Sequence, residues 1–167
     1  MLNPIPADAT RPRPRNDDSV VLEVTLGGVS LVLPGDAGPA VEATLAGALS
    51  PARLRVLKAA HHGSRTSSTP AFLDAVAPAI VLVSAGRGNR HGHPAPAVVE
   101  RVLGHGAVLY RTDRDGAIAI DTDGEVLQVT TCGGDHARVT PGRPFSTTSE
   151  ARVSTDAPGR DTNGTTR

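Results

Sequence analysis

Two adjacent histidines, His61 and His62, are the residues of this chain whose types and spacing most directly suggest chemistry. They follow a short apolar run at residues 54–57, and they precede Gly63 and a loop rich in hydroxyl side chains at residues 64–70. Neutral imidazole is the commonest metal ligand, and histidine titrates closest to neutral pH, so a pair at a strand end could bind a metal or transfer a proton. The alternative is that both are solvated polar residues of a surface loop.

Two more polar clusters follow predicted strands. Asp36 lies in a turn rich in proline and glycine at residues 34–38, where an aspartate can alternatively form a local turn or cap a helix. The third cluster is the loop at residues 86–94, which ends in His93 and Pro94. In α/β folds, ligands bind beyond the carboxyl ends of the strands, so the three clusters predict one site.

The residue types of this predicted site suit a metal and an anionic substrate. Aspartate and histidine together are ligands of a divalent ion such as Zn²⁺ or Mn²⁺. Such an ion would lower the pKa of a bound water to about 7 and so provide a hydroxide nucleophile. The side chains of Arg87, Asn89 and Arg90 could then hold an anionic substrate, because guanidinium groups bind phosphate through two nitrogens.

The elements that must position these clusters alternate between strands and helices. Their order, ββαβαβαβββ, predicts an α/β domain with a hairpin at each end. The continuous apolar run at residues 79–84 predicts a strand buried on both faces. The predicted strands cover residues 20–26, 29–33, 53–58, 79–84, 107–110, 117–120 and 125–130, and the predicted helices cover residues 39–49, 71–77 and 96–103.

Composition limits the domain organisation and the class of partner. Residues 1–15 and 133–167 are poor in apolar side chains, which predicts disordered tails around one folded domain at residues 16–132. The 17 basic and 17 acidic residues balance, so no global field steers the chain to a polyanion. No run reaches the roughly 20 apolar residues of a transmembrane helix, and the amino terminus lacks the apolar core of a signal peptide, which together predict a soluble chain.

Three stretches resemble the metallo-β-lactamase-like domain of ComEC-type DNA internalisation (competence) proteins. They are LKAAHHGSRTSS at 57–68, AIVLVSAGRGNRHGHP at 79–94 and YRTDRDGAI at 110–118. The upstream segments NDDSVVL at 16–22 and LPGD at 33–36 fit the same family. The resemblance therefore covers nearly all of the predicted folded domain.

This resemblance implies a binuclear metal-dependent hydrolase, a DNA phosphodiesterase that degrades the strand not taken up during transformation. The substrate would be single- or double-stranded DNA, on the external face of the bacterial membrane. Asp36 matches the aspartate that bridges the metals, and His62 the late histidine ligand. His61 would act beside it in the second coordination shell or in proton transfer. The reserve ligand is His93, and the substrate-binding residues would be Ser64, Arg87, Asn89 and Arg90.

The chain also departs from the family pattern. The His-x-His-x-Asp-His motif and the mid-domain histidine are missing from the sequence. The chain therefore resembles only the C-terminal half of the αββα sandwich, lacking an N-terminal half-domain and the membrane channel of the family, and by itself it is expected to be inactive. The alternatives are a non-catalytic remnant or DNA- or partner-binding module, and a lactamase-fold hydrolase acting on another phosphoester.

A half-domain should expose apolar surface where the missing half would pack. We expect the hairpin at residues 20–33 and the strand at residues 79–84 to line that surface. The sequence therefore predicts that the chain self-associates.

Overall fold

The computed structural model describes residues 1–3, 15–142 and 146–147. It contains three α-helices, a helical turn, two short 3₁₀ segments and two β-sheets within these residues. The strands are β1 (Leu22–Leu26), β2 (Val29–Leu33), β3 (Leu54–Lys58), β4 (Ile80–Val83), β5 (Val108–Arg111), β6 (Ile118–Thr122), β7 (Leu127–Thr131), β8 (His136–Val139) and β9 (Ser146–Thr147). The helices are α1 (Pro39–Leu45), α2 (Pro70–Val76) and α3 (Pro96–Gly104), and α4 (Thr112–Asp115) is a single turn.

The first sheet has five strands in the order β1-β2-β3-β4-β5. Strand β1 pairs with β2 as an antiparallel hairpin, and β2, β3, β4 and β5 run parallel to one another. Parallel neighbours need a crossover, and α1, α2 and α3 supply the three crossovers. The carboxyl ends of β2, β3 and β4 therefore lie side by side at one edge of the sheet.

Two apolar cores lie on the two faces of this sheet. On one face, side chains of β2, β3 and β4 pack against the three helices, whose fully buried residues include Phe72, Leu73 and Val102. On the other face, the alternate residues pack against the second sheet, whose strand order is β6-β7-β8-β9. Successive residues of a strand point to opposite faces, so β4 contributes Val81 and Val83 to the helical core and Ile80 to the core between the sheets.

The helices begin where prolines and capping groups allow them to begin. Each of the three has a proline at its amino-terminal end, where the missing N–H costs no hydrogen bond. The Oγ1 of Thr69 also accepts a hydrogen bond from the backbone N–H of Phe72 at 3.3 Å, which caps α2. Helix α1 ends at Leu45, four residues before the predicted end at residue 49.

The structure confirms the mixed α/β class and the predicted order of elements. It differs from the sequence prediction at the carboxyl end of the domain. Strand β8 lies beyond residue 132, where the sequence predicted the end of the folded domain; Ala137 and Val139 of this strand are buried in the core between the sheets. Residues 4–14, 143–145 and 148–167, which make up most of the predicted tails, lie outside the described residues.

The prediction that residues 79–84 line an exposed apolar face is wrong. Ile80, Val81 and Val83 are buried, because helices cover one face of β4 and the second sheet covers the other. The hairpin strand β1 does expose apolar side chains. Among the described residues, no helix has the length and apolar character needed to cross a membrane.

Candidate metal and catalytic site

The three polar clusters meet at the edge of the first sheet where β2, β3 and β4 end. Asp36 follows β2, the histidine pair follows β3, and the loop containing His93 follows β4. The Nε2 of His62 lies 3.8 Å from Oδ1 of Asp36, and the ring centroids of His61 and His93 are 5.8 Å apart. The parallel order of the strands therefore brings together Asp36, His61, His62 and His93.

The histidine pair occupies a short 3₁₀ segment, Ala60–Gly63, in an unusual backbone conformation. The φ angles of His61 and His62 are 47° and 56°, in the left-handed region that residues with a Cβ rarely adopt. Such residues cost about 1–3 kcal/mol each and persist where surrounding contacts hold them. The backbone N–H of His61 donates to the carbonyl of Gly35 at 2.9 Å, so the turn that carries Asp36 holds the turn that carries the histidines.

Gly63 makes a second tie, to the loop after β4. Its carbonyl accepts a hydrogen bond from the backbone N–H of Ala95 at 2.9 Å. Its φ is 81°, and a Cβ at this position would lie 2.7 Å from the Cβ of Pro94. A glycine is therefore required here for both the backbone conformation and the close approach of the two loops.

The ring of His62 is oriented by a backbone carbonyl. Its Nδ1 lies 2.8 Å from the carbonyl oxygen of Ser84, which can only accept, so Nδ1 carries the proton. The other nitrogen, Nε2, then faces the Asp36 carboxylate. This is the usual arrangement of a metal-binding histidine, in which the nitrogen remote from the metal donates to a carbonyl.

The His62 and Asp36 donor atoms have a spacing that fits one shared ion. Zinc lies about 2.0–2.2 Å from histidine nitrogen or carboxylate oxygen, so two donors of a tetrahedral site are about 3.4 Å apart. The observed 3.8 Å between Nε2 and Oδ1 is close to that separation. A lone pair on Nε2 and a carboxylate oxygen repel each other unless a proton or a cation lies between them. The pair therefore fits two positions of a metal site.

His61 has a different hydrogen-bonding environment from its neighbour. The side-chain amide nitrogen of Asn16 lies 3.3 Å from Nδ1 of His61 and can only donate, so this Nδ1 accepts. In the neutral ring the proton is then on Nε2. In this tautomer Nε2 has no lone pair free for a metal, and the role of His61 in proton transfer stays a prediction.

His93 lies between the rings of two other histidines. Its Nδ1 is buried and has no hydrogen-bond partner among the described residues, so a lone pair or a proton there is unsatisfied. Burial lowers the pKa of His93, the charges of His61, His91 and His62 lower it further, and Asp36 partly opposes them. A neutral ring with an unsatisfied nitrogen fits the reserve ligand that the sequence suggested.

Asp36 does not take the alternative role of a helix cap. The N-cap position of α1 is Gly38, which has no side chain, and the Asp36 carboxylate lies against His62 instead. The turn is instead anchored from the segment before β1. The Oγ of Ser19 accepts from the backbone N–H of Asp36 at 3.1 Å, and Asp17 accepts from that of Gly38 at 2.9 Å.

One of the predicted substrate-binding residues, Asn89, lines a small cavity beside the histidines. The cavity has a volume of about 220 Å³ and is lined by His62, Ser84, Ala85, Gly86, Asn89, His91 and His93. The amide of Asn89 bonds the carbonyls of Gly86 and His93 and the N–H of His93, so it holds the loop together. A substrate contact by Asn89 stays a prediction.

The other three predicted substrate residues do not belong to the lining of this cavity. Arg87 donates from Nε to the carbonyl of Asp113 at 3.1 Å, and the exposed Arg90 contacts the ring of His91. The hydroxyl of Ser64 has a single weak contact, 3.5 Å to that of Thr66. Each of the two arginines uses only its Nε in these contacts, so its remaining guanidinium N–H groups have no hydrogen-bond partner among the described residues.

Sequence reasoning missed three groups that the structure adds to the site. Asn16 and the Ser84 carbonyl set the tautomers of the two histidines. Lys58, at the end of β3, is half-buried and donates to the carbonyl of Ala59 at 2.7 Å. Burial lowers the pKa of Lys58, and the nearby Asp36 carboxylate partly offsets this effect. The signal in the sequence was a lysine at the end of an apolar strand, three residues before the histidines.

The described residues contain no group of three or more histidine, cysteine, aspartate or glutamate side chains placed to hold one metal ion. Asp36 and His62 are thus a pair of donors, and the ring of His93 lies nearby without joining them in such a group. Further donors would have to come from elsewhere.

Sequence comparison finds similar proteins among bacterial competence proteins. The chain is 42% identical to the Competence protein ComA of Neisseria gonorrhoeae over 104 residues, which is 62% of this chain and 15% of that protein. It is 33% identical to the ComE operon protein 3 of Bacillus subtilis over 111 residues, covering 66% of this chain and 14% of that protein. It is 31% identical to the Recombination protein 2 of Haemophilus influenzae over 117 residues, covering 70% of this chain and 15% of that protein.

Two further comparisons give no match. No family model matches the chain, and no solved structure matches it. The chain spans about 15% of the length of the curated relatives it matches. Over about two thirds of its own length it is similar to one segment of those much longer proteins, and the similarity supports a relationship to the ComEC-type competence proteins.

Proposed function

We propose that this chain is part of a metal-dependent DNA phosphodiesterase domain, of the metallo-β-lactamase type, in a ComEC-type protein of natural transformation. The observation that carries the proposal is the pairing of His62 and Asp36. The Nδ1–H of His62 donates a hydrogen bond to the Ser84 carbonyl, and Nε2 lies 3.8 Å from the Asp36 carboxylate. The names of the similar proteins, which refer to competence, support the biological setting.

The residues present fit part of a zinc or manganese site. Asp36 and His62 would hold the ion, and His93, whose buried Nδ1 lacks a partner, is the next candidate. Such an ion would supply Lewis-acid polarisation of a phosphodiester. The carboxylate and imidazole of this pair match the ligand types that zinc and manganese accept.

The chain's own residues would bind the substrate and stabilise its leaving oxygen. The exposed guanidinium groups of Arg87 and Arg90, in the same loop as Asn89 and His93, would hold phosphate oxygens. His61, whose Nε2 carries the proton in the neutral ring, would donate a hydrogen bond to the leaving oxygen as negative charge develops on it. The left-handed backbone of the histidine pair keeps both rings at the sheet edge, where substrate can reach them.

A second candidate function is supported by the small number of donors. Only a pair of potential ligands converges in the described part of the chain. A segment with an incomplete metal site could bind DNA or a protein partner without hydrolysis. If the protein is an active enzyme instead, the remaining metal ligands would come from another part of a longer polypeptide or from a partner chain.

Zinc and manganese binding by the purified chain tests the first proposal. We expect Asp36→Asn and His62→Ala each to weaken binding at least tenfold, because each removes one donor of the pair. Matched controls are Asp121→Asn on β6 and His136→Gln on β8, which lie on the second sheet. Metal binding that is unchanged in both site variants would contradict the proposed metal site.

Hydrolysis is measured on the same samples, first with bis(4-nitrophenyl) phosphate and then with single- and double-stranded DNA. Activity that requires added metal and is lost in Asp36→Asn would support the phosphodiesterase. Activity that survives a chelator would contradict it. DNA binding without hydrolysis, weakened by Arg87→Ala, would favour the non-catalytic module.

A further inference from the structure

Lys58 differs from the other basic residues of this chain in type and in position. Of the 17 basic residues, 16 are arginine, and Lys58 is the one lysine. It is the last residue of β3, and the histidine pair begins three positions later, at His61. The chain therefore has its one ammonium side chain at the edge of the sheet where the candidate site lies.

The fold directs the Lys58 side chain to this edge. Along β3, Leu57 belongs to the helical core and Val56 to the core between the sheets, so Lys58 shares the face of Val56. Its Nζ donates to the carbonyl of Ala59, the next residue of the chain, at 2.7 Å. Ala59 directly precedes the 3₁₀ segment of the histidine pair. The ammonium is thus held at the base of the turn that carries the two histidines.

The ammonium of Lys58 is half-buried, and only part of its hydrogen-bonding capacity is used. It has three N–H donors, and the carbonyl of Ala59 is their one acceptor among the described residues. Burial lowers the pKa of Lys58, and the charge of the nearby Asp36 carboxylate opposes this effect. The remaining N–H groups are available to an acceptor from outside the described residues.

A lysine suits this position better than an arginine does. A guanidinium group is planar and has five N–H donors, whereas an ammonium is a compact point charge with three. At a half-buried position with one acceptor, an arginine would leave most of its donors unsatisfied. The exposed Arg87 and Arg90 are under no such restriction, because water reaches them. Lys58 therefore supplies a compact charge, the form in which lysine binds a phosphate oxygen.

We infer that the Lys58 ammonium binds a phosphate oxygen of a DNA strand, beside Asp36. This inference rests on the proposed function, because it assigns one more contact to the same substrate. Arg87 and Arg90 belong to the loop after β4, whereas Lys58 comes from β3 and its charge acts on Asp36. Positive groups from two separate elements would then hold phosphates of the same strand.

The balance of charge supports an anion at this position. Asp36 is the carboxylate whose charge favours the ammonium of Lys58. Once Asp36 holds a divalent ion together with His62, its charge is no longer available to Lys58. A half-buried cation without a compensating charge is unfavourable, so an anion is favoured beside it. A phosphodiester group supplies that anion.

NMR of selectively labelled protein tests this contact directly. Because the chain has one lysine, labelling with [ε-¹³C]lysine gives a single signal that reports on Lys58 without any substitution. Titration with a short oligothymidylate, with and without added zinc, should shift this signal to saturation. Thymidine, which has no phosphate, should leave it in place. A signal that does not move with oligothymidylate in either buffer would overturn the inference, and so would an equal shift with thymidine.

Fluorescence anisotropy with a labelled oligothymidylate measures the contribution of the charge to binding. Lys58→Met keeps an unbranched side chain without the ammonium and should weaken binding about tenfold, because a charge-assisted hydrogen bond is lost. The matched control is Arg53→Met, an exposed position directly before β3 at the opposite end of the same strand. It should have little effect at physiological ionic strength. Equal weakening in both variants would contradict a specific contact.

Urea unfolding separates this contact from a structural role. Lys58→Met replaces a half-buried cation by an apolar side chain, so the midpoint of unfolding should stay close to that of the wild type. A large loss of stability together with an unmoved NMR signal would assign Lys58 a structural role and overturn the inference.

These results also distinguish the Lys58 contact from the proposed function. Metal-dependent hydrolysis that Lys58→Met leaves unchanged, with no shift of the lysine signal, would support the phosphodiesterase and overturn the contact. A saturating shift and a selective loss of affinity in Lys58→Met, without hydrolysis by the wild type, would support the contact in a DNA-binding module that does not cleave.

Discussion

The buried carboxylate of Glu42 accepts a hydrogen bond from the backbone N–H of Ser68 at 2.5 Å. Glu42 belongs to α1, and its second oxygen accepts from the N–H of Thr69 at 2.9 Å. From the other side, Nη1 of Arg101 on α3 donates to the carbonyls of Ser67 and Ser68, at 2.8 Å each. A glutamate and an arginine from two helices thus hold the hydroxyl-rich loop that follows the histidine pair.

Glu42→Ala should destabilise the protein by about 2–5 kcal/mol, because it leaves the buried N–H of Ser68 and the half-buried N–H of Thr69 without acceptors. Glu42→Gln, which retains one acceptor oxygen, should cost less. Urea unfolding followed by circular dichroism measures both free energies of unfolding. The control is Glu100→Ala on the exposed surface of α3, and a loss equal to that of this control would contradict the role given to Glu42.

Gly63→Ala should be more harmful than the same change at another left-handed glycine. At Gly63 the new Cβ would lie 2.7 Å from that of Pro94, whereas at Gly88, with φ of 61°, no atom lies within 4 Å. Gly88→Ala should therefore cost only the backbone term of about 1 kcal/mol, and Gly63→Ala clearly more. Thermal unfolding of the two variants compares them directly, and equal losses would show that the contact with Pro94 is easily relieved.

Asp113 makes part of the stability depend on pH. Burial alone would raise the pKa of this carboxyl, but two hydrogen bonds from the guanidinium of Arg111, at 3.0 and 2.6 Å, outweigh it and hold the pKa below its usual value. A depressed carboxyl pKa contributes stability above the unfolded value of about 3.9, and this contribution disappears as the pH falls through the folded value.

Asp113→Asn should therefore lower the free energy of unfolding by about 1–2 kcal/mol at neutral pH, and by less in acid. Urea unfolding at pH values above and below the carboxyl range gives the difference. Asp121→Asn serves as the control on an exposed strand. If Asp113→Asn lowers the free energy of unfolding equally at both pH values, the ion pair with Arg111 does not make stability depend on pH.

His93 should titrate below an ordinary histidine in the metal-free protein. Burial and the three neighbouring histidines lower its pKa, so the folded chain binds this proton less readily than the unfolded chain does. Stability is then lost as the pH falls below the unfolded value of about 6.5. NMR titration of the ring protons measures the pKa, and His61→Ala should raise it by removing one like charge. If the pKa of His93 does not rise in His61→Ala, His61 does not contribute to the lowering of that pKa.

Much of the fold and part of the site could be predicted because the relevant signals are local. Alternating and helical apolar patterns predicted the strands β1 to β7 and the three helices, since burial on one face leaves a period in the sequence. Asp36 and the histidine pair stood out because polar residues directly follow apolar strands. Strand β8 was missed because it is short, follows two glycines and alternates with charged residues.

The sequence by itself determined the types of residue available to the site and the strand ends at which they lie. Only the tertiary structure decided which histidine faces Asp36. That choice depends on the Ser84 carbonyl, 22 residues from His62, and on the Asn16 amide, 45 residues from His61. The tertiary structure also decided that β4 is covered on both faces while β1 is left at an edge. Contacts between distant residues leave no period or motif in one sequence, so folding alone assigns the partners.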